Sequence, residues 1–355
     1  MKDPSLRSGL DRFFPRLKHL PQSARIAVGG AVRDLLLGRE PNDVDVECDD
    51  PLAVAQSLRR KVIQLGRGDL TAWRVVEGDA IYDFSPLSPL SRRDFTINAI
   101  GVDLATGELR DPHGGARDIA SRVVRMIDAK NFDDDPLRLL RAIRFAVTLD
   151  FTIDEETVEA IRARAAKITG VAGERIEYEL SVIFSARAFR RALQFLHVTA
   201  LDIPLFGVAL DASMFHADDV SLAASYTLLN RLRPVPQSAA ATGPLWDRLQ
   251  PIQLRREVAI LQQLVEHHDR IALYDAGEQI ATQLPALLRA VGRDDRLDMP
   301  DFSIRALLTG DEIAELTGVE RGPRLGAIKR ALLEAQVRGE VQSRDEAEAH
   351  VRSSD

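Results

Sequence analysis

The feature that most constrains this chain is a short run of alternating residues, DVDVE, at positions 43–47. Alternation with a period of two is typical of a strand that has one buried and one open face. Val44 and Val46 therefore face a core, and Asp43 and Asp45 point together to the opposite side. Two carboxylates held this close repel each other unless a cation lies between them. Either they bind Mg²⁺, which prefers hard oxygen ligands, or they are solvated acids on an exposed strand.

A glycine pair precedes this strand at a predicted strand-to-helix junction. The run RIAVG at 25–29 predicts a strand, Gly29 and Gly30 a tight turn, and AVRDLLL at 31–37 a helix. Glycines at such a junction let backbone N–H groups approach a phosphate. Arg33 lies one helical turn further on, where its guanidinium can reach an anionic group. With the acid pair, this spacing predicts a site for phosphate and metal, and a tight turn without a ligand is the alternative.

Two later segments add candidate residues to this site. Asp83 follows an apolar run and either supplies a third carboxylate to the same metal or is a turn acid at the end of a strand. The run RRDFTINAI at 92–100 contains two arginines, an acid and an amide around apolar anchors. In this run, Arg93 would bind phosphate, Asp94 a ribose hydroxyl, and Asn98 would add a further polar contact.

Periodicity predicts a mixed α/β head followed by a helical remainder. The 355 residues are enough for two or three domains. Strand and helix patterns alternate up to about residue 120, and long helical patterns then fill 136–200, including the stretch at 174–197. Helical patterns continue at 245–292 and 303–350. The run PVPQSAAATGP at 234–244 is typical of a linker or a long loop.

Composition excludes several other classes of protein. A hydrophobic share of 45% and a charged share of 28% are typical of a globular protein that is soluble in water. No run of about 18 apolar residues is present, so no membrane span is predicted. The single cysteine, Cys48, cannot form an internal disulfide, and no Cys/His cluster suggests zinc. The net charge of −7 argues against a polybasic surface but permits one basic groove. These features predict a cytoplasmic protein with no membrane partner.

Five segments, taken together and in order, resemble the successive motifs of the class II tRNA nucleotidyltransferases, the family of CCA-adding enzymes and bacterial poly(A) polymerases. They are GGAVRDLLLG with NDVDV, RRDFTINAI, DPHGGARDI (111–119), DDPLRLLRAIRFA (134–146) and ERIEYEL (174–180). The resemblance covers residues 25 to about 200, and a weaker similarity to the C-terminal tail of these enzymes occurs at 310–341. It implies an α+β fold with a mixed-sheet nucleotidyltransferase head at 1–121, a helical neck at 122–200, and a helical body and tail at 201–355.

The resemblance also implies roles for individual residues. Asp43 and Asp45 would hold catalytic Mg²⁺, and Asp83 would join them as a third catalytic carboxylate. Arg175 and its neighbour Glu174 open the fifth motif, which stabilises the neck in the family. The residues expected to contact the nucleotide are Gly29, Gly30, Arg33, Arg93, Asp94, Asn98, Asp135, Arg138, Arg141 and Arg144.

Within the fourth motif, Asp135, Arg138 and Arg141 would present a protein template to the incoming base, with Arg144 supporting the site. If the segment is helical, Asp135 and Arg138 are neighbours at i and i+3 on one face. An acid accepts a hydrogen bond from an exocyclic amine, and arginine donates to ring nitrogen and carbonyl positions. Cytosine and adenine both carry an amine beside a ring acceptor. The alternative is an ordinary salt bridge on an amphipathic helix.

The resemblance implies in-line attack of a tRNA 3′-hydroxyl on the α-phosphorus of CTP or ATP. The acceptor end and the elbow of tRNA are the expected partner surfaces.

In full CCA-adding members a long flexible segment precedes the RRDFT motif, but here only FSPLSPLS at 84–91 connects Asp83 to Arg92. This short connection favours a CC-adding enzyme. A-adding or full CCA-adding activity, a poly(A) polymerase, and an inert RNA-binding relative are the alternatives, and the sequence leaves the oligomeric state open.

Three further segments carry weaker signals. His267, His268 and Asp269 lie within a helical pattern and are predicted to be on a helix surface rather than in a metal site. The run GVERGPRLG at 318–326 either touches tRNA phosphates, with Lys329 and Arg330 assisting, or forms a helix hairpin punctuated by glycines. The remaining stretch, from residue 205 to residue 300, matches no motif.

Overall fold

A computed structural model of the protein describes residues 4–66, 71–232, 249 and 252–353. The chain divides into two compact units, the first comprising Met1–Ile183 and Phe195–Ala209 and the second Phe184–Gln194 and Leu210–Asp355. Within the described part of the chain, no helix is long and apolar enough to cross a membrane. The predicted division between head and neck at residue 121 falls inside the first unit and stays a prediction.

A mixed sheet forms the core of the first unit. Its strands, within the described ranges, are β1 (Ala24–Val28), β2 (Asp43–Cys48), β3 (Val62–Leu65), β4 (Ala72–Glu77), β5 (Ala80–Pro86), β6 (Gly101–Asp103) and β7 (Leu109–Arg110). They lie in the order β3-β4-β5-β2-β1-β6-β7. Strands β2 and β5 are parallel, and the other neighbouring strands are antiparallel. Two short strands, β8 (Val123–Val124) and β9 (Thr152–Ile153), form a separate parallel pair.

The alternation in β2 separates a buried face of the sheet from an open face. Val44 and Val46 are fully buried and lie in register with Tyr82 and Phe84 of β5. The ring of Phe14 meets Tyr82 edge-on, with 5.7 Å between the ring centroids. Apolar burial on this side fixes the orientation of the strand, because a slip by one residue would expose both valines and bury the acids. The acidic residues of β2 therefore lie on the other face.

Helices pack on the sheet and fill much of the chain up to residue 209, and the segment Phe184–Gln194 within this range belongs to the second unit. In chain order, the helices described up to residue 209 are α1 (Pro4–Phe13), α2 (Gly30–Leu36), α3 (Pro51–Ser57), α4 (Gly115–Ala120), α5 (Lys130–Asp134), α6 (Leu137–Leu149), α7 (Glu155–Arg162), α8 (Gly173–Ser185), α9 (Phe189–Val198) and α10 (Asp202–Phe206). Helix α6 buries Leu139, Leu140 and Ile143 and ends at Asp150, which has φ 62°. The apolar stripe of α6 leaves its arginines along another side of the helix.

The second unit contains helices joined by irregular segments, and no strand is found among its described residues. Its further helices are α11 (Leu222–Leu232), α12 (Arg255–Glu266), α13 (Arg270–Ala276), α14 (Glu278–Ala281), α15 (Leu284–Ala290), α16 (Gly310–Thr317), α17 (Pro323–Arg338) and α18 (Arg344–Ser353). A capping box formed by Thr309 and Glu312 starts α16. The last three helices share a small core that includes Ile313, Leu332 and Val351.

The predicted α+β class is confirmed, and two local expectations differ from the structure. Strand β3 was not expected, because its four residues have a mostly exposed pattern at the edge of the sheet. The stretch at 174–197 is not one helix, since it breaks into α8 and α9 around Arg187, which has a φ of 54°. The predicted linker at 234–244 lies outside the described residues.

Candidate active site

The turn between β1 and α2 depends on Gly29, whose φ of 75° favours glycine. Its N–H donates to the backbone oxygen of Ile100 at 3.0 Å, which ties the turn to the residue before β6. A Cβ at this position would lie only 2.6 Å from Nη1 of Arg93. The Arg93 guanidinium thus occupies the space that glycine leaves open above the turn, which brings two of the predicted site residues together. The other predicted glycine, Gly30, is the first residue of α2.

The acid pair lies on the open face of β2, as the alternation predicts. Asp43 is exposed, Asp45 is half-buried, and Asp45 lies in register with Asp83 of the parallel strand β5. Burial raises the pKa of Asp45 to about 6; the charges of Asp43 and Asp83 act in the same direction, and Arg93 opposes them. Burial and the charge of Asp83 also raise the pKa of Asp43. The structure therefore brings the three predicted carboxylates together, and the ionised forms of Asp43 and Asp45 are disfavoured there.

Asp83 differs from the acid pair because it has a cationic partner. Arg74 of β4 donates from Nε and Nη2 to the two carboxylate oxygens of Asp83, at 2.8 and 2.7 Å. Such two-point pairs between arginine and a carboxylate are the stronger kind of ion pair. Within the described residues, no group of three or more Asp, Glu, His or Cys side chains is arranged to hold a metal ion. The structure thus leaves Asp43 and Asp45 as the candidate ligands and engages Asp83 with Arg74.

Glu47 is a residue of this site that sequence reasoning missed. It continues the alternation of β2 by two residues beyond Asp45, but it is buried, with 3% of its surface exposed. Its carboxylate accepts hydrogen bonds from Nη2 of Arg93 at 3.1 Å and from the backbone N–H of Ser88 at 3.3 Å. It therefore fixes Arg93 and anchors the short connection after β5. The signal was present in the run DVDVE, since i, i+2 and i+4 share one face of a strand.

A chain of hydrogen bonds links the glycine turn to the fourth motif. Arg33 of α2 donates to Asp34 at 2.9 Å and to Oδ1 of Asn98 at 2.8 Å. Asn98 donates to Oδ1 of Asp94 at 2.9 Å, and Nε of Arg141 donates to Oδ2 of Asp94 at 2.9 Å. Burial opposes the ionisation of Asp94, but the charge of Arg141 and these hydrogen bonds outweigh it and lower the pKa of Asp94. Four predicted site residues therefore form one network.

Arg144 has a buried acidic partner in α8. Its Nε lies 2.6 Å from Oε2 of Glu179, in an ion pair whose geometry is not that of a hydrogen bond. Arg141 lies 3.6 Å from the other oxygen of Glu179. Burial lowers the pKa of Arg144, although the charge of Glu179 opposes this effect. Arg141 and Arg144, both expected to contact the nucleotide, therefore also compensate buried carboxylates of the protein.

The template pair has a different geometry from the predicted one. Asp135 is not helical, because it follows α5 in an extended conformation, so the expectation that it and Arg138 share a helix face is wrong. The Asp135 carboxylate accepts from the backbone N–H of Leu137 at 3.2 Å and from two nitrogens of Arg175 at 2.9 and 3.3 Å. Arg138 donates to the backbone oxygen of Asn131 at 3.1 Å. The two side chains therefore have separate partners, and they do not form the simple salt bridge that was the alternative interpretation.

A cleft of about 560 Å³ lies against these residues. Its lining combines basic side chains with the connection after β5 and includes Glu47, Ser88, Arg92, Arg93 and Arg138. A cleft with several arginines and one buried acid suits an anionic ligand that also carries hydrogen-bonding groups.

The remaining predicted segments lie in the second unit. His267 ends α12 and Asp269 caps the start of α13, where its side chain accepts from the N–H of Ala272, so these residues lie at a helix break rather than within a helix. His268 Nε2 is 3.2 Å from Asp295, which gives it a structural partner. In the 318–326 segment, Gly318 ends α16 at φ 69° and α17 begins at Pro323. Both interpretations of that segment stay open.

Two family models match segments between residues 25 and 206. One describes the poly A polymerase head domain and matches residues 25–88 and 84–125. The other describes a probable RNA and SrmB- binding site of polymerase A and matches residues 150–206.

Known relatives extend the similarity over nearly the whole chain. An A-adding tRNA nucleotidyltransferase of Deinococcus radiodurans is 30% identical over an alignment that covers 95% of this chain and 96% of the relative. A CC-adding tRNA nucleotidyltransferase of Geobacter sulfurreducens is 36% identical, over 65% of this chain and 54% of that protein.

Solved structures agree with the sequence relatives. The Bacillus stearothermophilus CCA-adding enzyme in complex with CTP superimposes with a TM-score of 0.77 at 25% identity, covering 99% of this chain and 98% of that one. The Thermotoga maritima CCA-adding enzyme complexed with tRNA has the same fold, with a TM-score of 0.63 at 20% identity, covering 99% of this chain and 96% of that one. The chain belongs to the family of tRNA nucleotidyltransferases that contains the CCA-adding enzymes and the bacterial poly(A) polymerases.

The contact between Gly29 and Arg93 gives a testable prediction. Gly29→Ala places a methyl group where the Arg93 guanidinium lies, and because Glu47 holds that guanidinium, Arg93 must leave its position. We expect kcat/KM for nucleotide transfer to fall at least roughly tenfold, as it does when a positioning contact is lost.

Gly38→Ala is the matched control, because Gly38 has nearly the same backbone strain, with a φ of 69°, and open space around its Cβ position. Both variants should lose stability through that strain. After correction for the fraction of folded protein, only Gly29→Ala should have a lower kcat/KM than the wild type. Equal kcat/KM values for the two variants, each corrected for the folded fraction, would contradict the assignment.

Proposed function

We propose that this protein transfers CMP from CTP to the 3′-hydroxyl of tRNA without a nucleic-acid template and releases pyrophosphate. Transfer of AMP from ATP is the alternative specificity. The observation that carries the proposal is the acid pair of β2, Asp43 and Asp45, which lies next to the Gly29 turn and the Arg93 guanidinium. Similarity to an A-adding relative over almost the full length of both proteins supports the same reaction class.

The acid pair fits a divalent cation, and we propose Mg²⁺ with Asp43 and Asp45 as its ligands. Their carboxylates are hard oxygen donors of the kind that Mg²⁺ prefers. Burial, together with the charges of Asp43 and Asp83, raises the pKa of Asp45 to about 6, and a bound cation would favour its ionised form. When bound to these two carboxylates, Mg²⁺ would supply positive charge for the phosphate oxygens and for the attacking hydroxyl.

The chain's own cations would orient the triphosphate. Arg93 lies above the glycine turn, and Arg33 projects from the first turns of α2 toward Asn98. The 3′-hydroxyl oxygen attacks the α-phosphorus in line, and the bond to the bridging oxygen of the leaving pyrophosphate breaks. Positioning and compensation of charge carry most of the catalysis in this type of phosphoryl transfer.

The base would be recognised by Asp135 and Arg138. A carboxylate has about four acceptor positions, and Leu137 and Arg175 occupy three of those of Asp135. One position on Oδ2 remains for the exocyclic amine of cytosine or adenine. Arg138 uses one N–H on the Asn131 backbone oxygen and keeps others for ring nitrogen or carbonyl acceptors. This arrangement discriminates against uracil and guanine, which present a carbonyl oxygen where the amine is needed.

We favour addition of two cytidines over addition of the terminal adenosine. Three residues, 87–89, separate the end of β5 from the short 3₁₀ turn at Leu90–Arg92. The N–H of Ser88 donates to buried Glu47, so this connection is anchored to the catalytic strand. A short, anchored connection is a poor candidate for the movement that a switch from C to A addition requires. Relatives of this chain are named A-adding, CC-adding and CCA-adding enzymes, so the preference rests on the connection.

The helical body and tail, residues 201–355, would bind the tRNA elbow, and the acceptor end would reach the site on the first unit. In the tail, Arg330 donates to Asp275 at 2.7 Å and to Glu334 at 2.7 Å. These pairs are exposed and contribute little to stability, so a phosphate can displace them at small cost.

The proposed location of the protein is the cytoplasm.

The specificity is tested with three tRNA transcripts that end at the discriminator base, in C, or in CC. Each is incubated with Mg²⁺ and labelled CTP, ATP or both, and the products are sized at nucleotide resolution. We expect growth by two, one and no cytidines respectively, with no addition of A. Addition of A to the CC end, or completion of CCA, would keep the family and contradict the CC preference. Long A tails would identify a poly(A) polymerase.

The role of the acid pair is tested by replacing both residues with alanine, Asp43→Ala with Asp45→Ala. We expect nucleotide transfer to fall by at least roughly a thousandfold, because ligand loss removes the cation's contribution. Affinity for tRNA, measured by fluorescence anisotropy, should change less than about threefold, since phosphate contacts elsewhere dominate binding.

Asp49→Asn provides the matched control, because Asp49 follows β2 closely and forms an exposed pair with Arg25. It should retain transfer and binding. An inert RNA-binding relative would show no transfer by the unmodified protein and the same tRNA affinity in all three proteins.

A further inference from the structure

Three guanidinium groups converge on one aromatic ring next to the proposed triphosphate site. The Cζ atoms of Arg33, Arg141 and Arg144 lie 5.2, 5.2 and 4.1 Å from the ring centroid of Phe145. All three are within the range of about 6 Å over which the negative face of an aromatic ring attracts a cation. The ring itself is buried, with 3% of its surface exposed. It is therefore a fixed element under the three cations.

The three arginines come from two distant parts of the sequence. Arg33 belongs to α2, beside the glycine turn, whereas Arg141 and Arg144 belong to α6 together with Phe145. Only spatial folding brings Arg33 to this ring, because 112 positions separate it from Phe145. The ring thus joins the helix of the first motif to the helix of the fourth motif. This convergence was not predictable from the spacing of either motif.

Three guanidinium groups gathered around one ring repel each other, and their charges need compensation. Acidic partners supply part of it, since Arg33 pairs with Asp34, Arg141 with Asp94, and Arg144 with Glu179. Each arginine has a different acidic partner, so these ion pairs alone do not draw the three guanidinium groups together. Phe145 can draw them together, because each guanidinium is attracted to the same aromatic ring.

Phe145 is itself held in place by neighbouring aromatic rings. Phe95 meets it edge-on, with centroids 5.7 Å apart and an interplanar angle of 79°. Phe132 in turn packs against Phe95, with 6.2 Å between the two ring centroids. Both Phe95 and Phe132 are fully buried. The core therefore holds the Phe145 ring by contacts that do not involve the arginines.

We propose that Phe145 is a positioning residue that gathers Arg33, Arg141 and Arg144 into one cation cluster for the triphosphate of the incoming nucleotide. The inference rests on the proposed function, because that function gives the arginines their ligand. Its consequence is specific: the ring affects binding of the phosphates, and Asp135 and Arg138 read the base separately. Loss of the ring should therefore weaken all triphosphates alike and leave the choice of base unchanged.

The test compares Phe145→Leu with Phe132→Leu. Both remove a buried ring from the same aromatic cluster and keep an apolar side chain, so they should lower Tm by similar amounts. We expect Phe145→Leu to raise KM for CTP about fivefold to tenfold with kcat changed less than about threefold, because three cation–ring contacts are lost. The ratio of kcat/KM for CTP over UTP should stay within about twofold of the wild type. Phe132→Leu should leave KM for CTP within about twofold of the wild type.

A second measurement separates this inference from the proposed function. Inorganic tripolyphosphate carries the phosphates without a base, and its Kd can be measured by calorimetry even if no transfer occurs. We expect Phe145→Leu to weaken tripolyphosphate binding by the same factor as its KM for CTP. If the wild type transfers no nucleotide, the proposed function fails, and the tripolyphosphate comparison still tests the ring.

Phe145→Tyr and Phe145→Met complete the design. Tyrosine keeps the ring face and should hold KM for CTP within about twofold of the wild type. Methionine lacks the ring and should behave like leucine, which keeps the test available if Phe145→Leu does not fold. Equal KM values for Phe145→Leu and Phe132→Leu, or tyrosine behaving like leucine, would overturn the proposal.

Discussion

The mutual repulsion of carboxylates on one face of the sheet is the constraint on which the rest of the first unit depends. Asp43, Asp45 and Glu47 share that face of β2, and Asp83 lies beside them on β5. Two of the four have arginine partners, since Asp83 pairs with Arg74 and Glu47 with Arg93. Burial and the acidic neighbours still raise the pKa of Asp45 to about 6. The apolar face of the strand must offset this repulsion, which is why its valines pack against fully buried aromatic rings.

The arrangement of the arginines follows from the same requirement for compensated charge. Asp94 and Glu179 are nearly fully buried, and an unpaired charge at such a depth is strongly destabilising. Arg141 and Arg144 neutralise them and at the same time lie around Phe145 beside Arg33. A single set of contacts therefore stabilises the packing of α6 and orders cations near the catalytic strand. A change in any member of this network is expected to affect stability and nucleotide binding together.

Sequence reasoning was successful where one short segment contains the whole pattern. The alternation at β2 predicts which side of the strand is buried, and the glycine pair predicts the turn before α2; the structure has both. It failed for partners that are distant in sequence, such as Glu179 for Arg144 or Arg175 for Asp135. Periodicity contains no information on those pairs.

The error at Asp135 has a local cause that the sequence does contain. Proline disfavours a helical conformation in the residue before it, and Pro136 follows Asp135 directly. The observed φ of −143° and ψ of 96° agree with that restriction. The template acid is therefore held at a helix junction by Arg175 and the Leu137 N–H, and its direction is set by these contacts instead of by the rotation of a helix.

Thermal unfolding of the wild type and Asp45→Asn at pH 8, with EDTA or with Mg²⁺, tests whether the Asp45 carboxylate is held for a cation. Because ionised Asp45 is disfavoured without a cation, the account predicts that Asp45→Asn raises Tm by roughly 2–4 °C in EDTA. Mg²⁺ should raise the Tm of the wild type and have little effect on the variant. Asp49→Asn should behave like the wild type in both conditions. A lower Tm for Asp45→Asn in EDTA, or equal stabilisation of both proteins by Mg²⁺, would contradict the account.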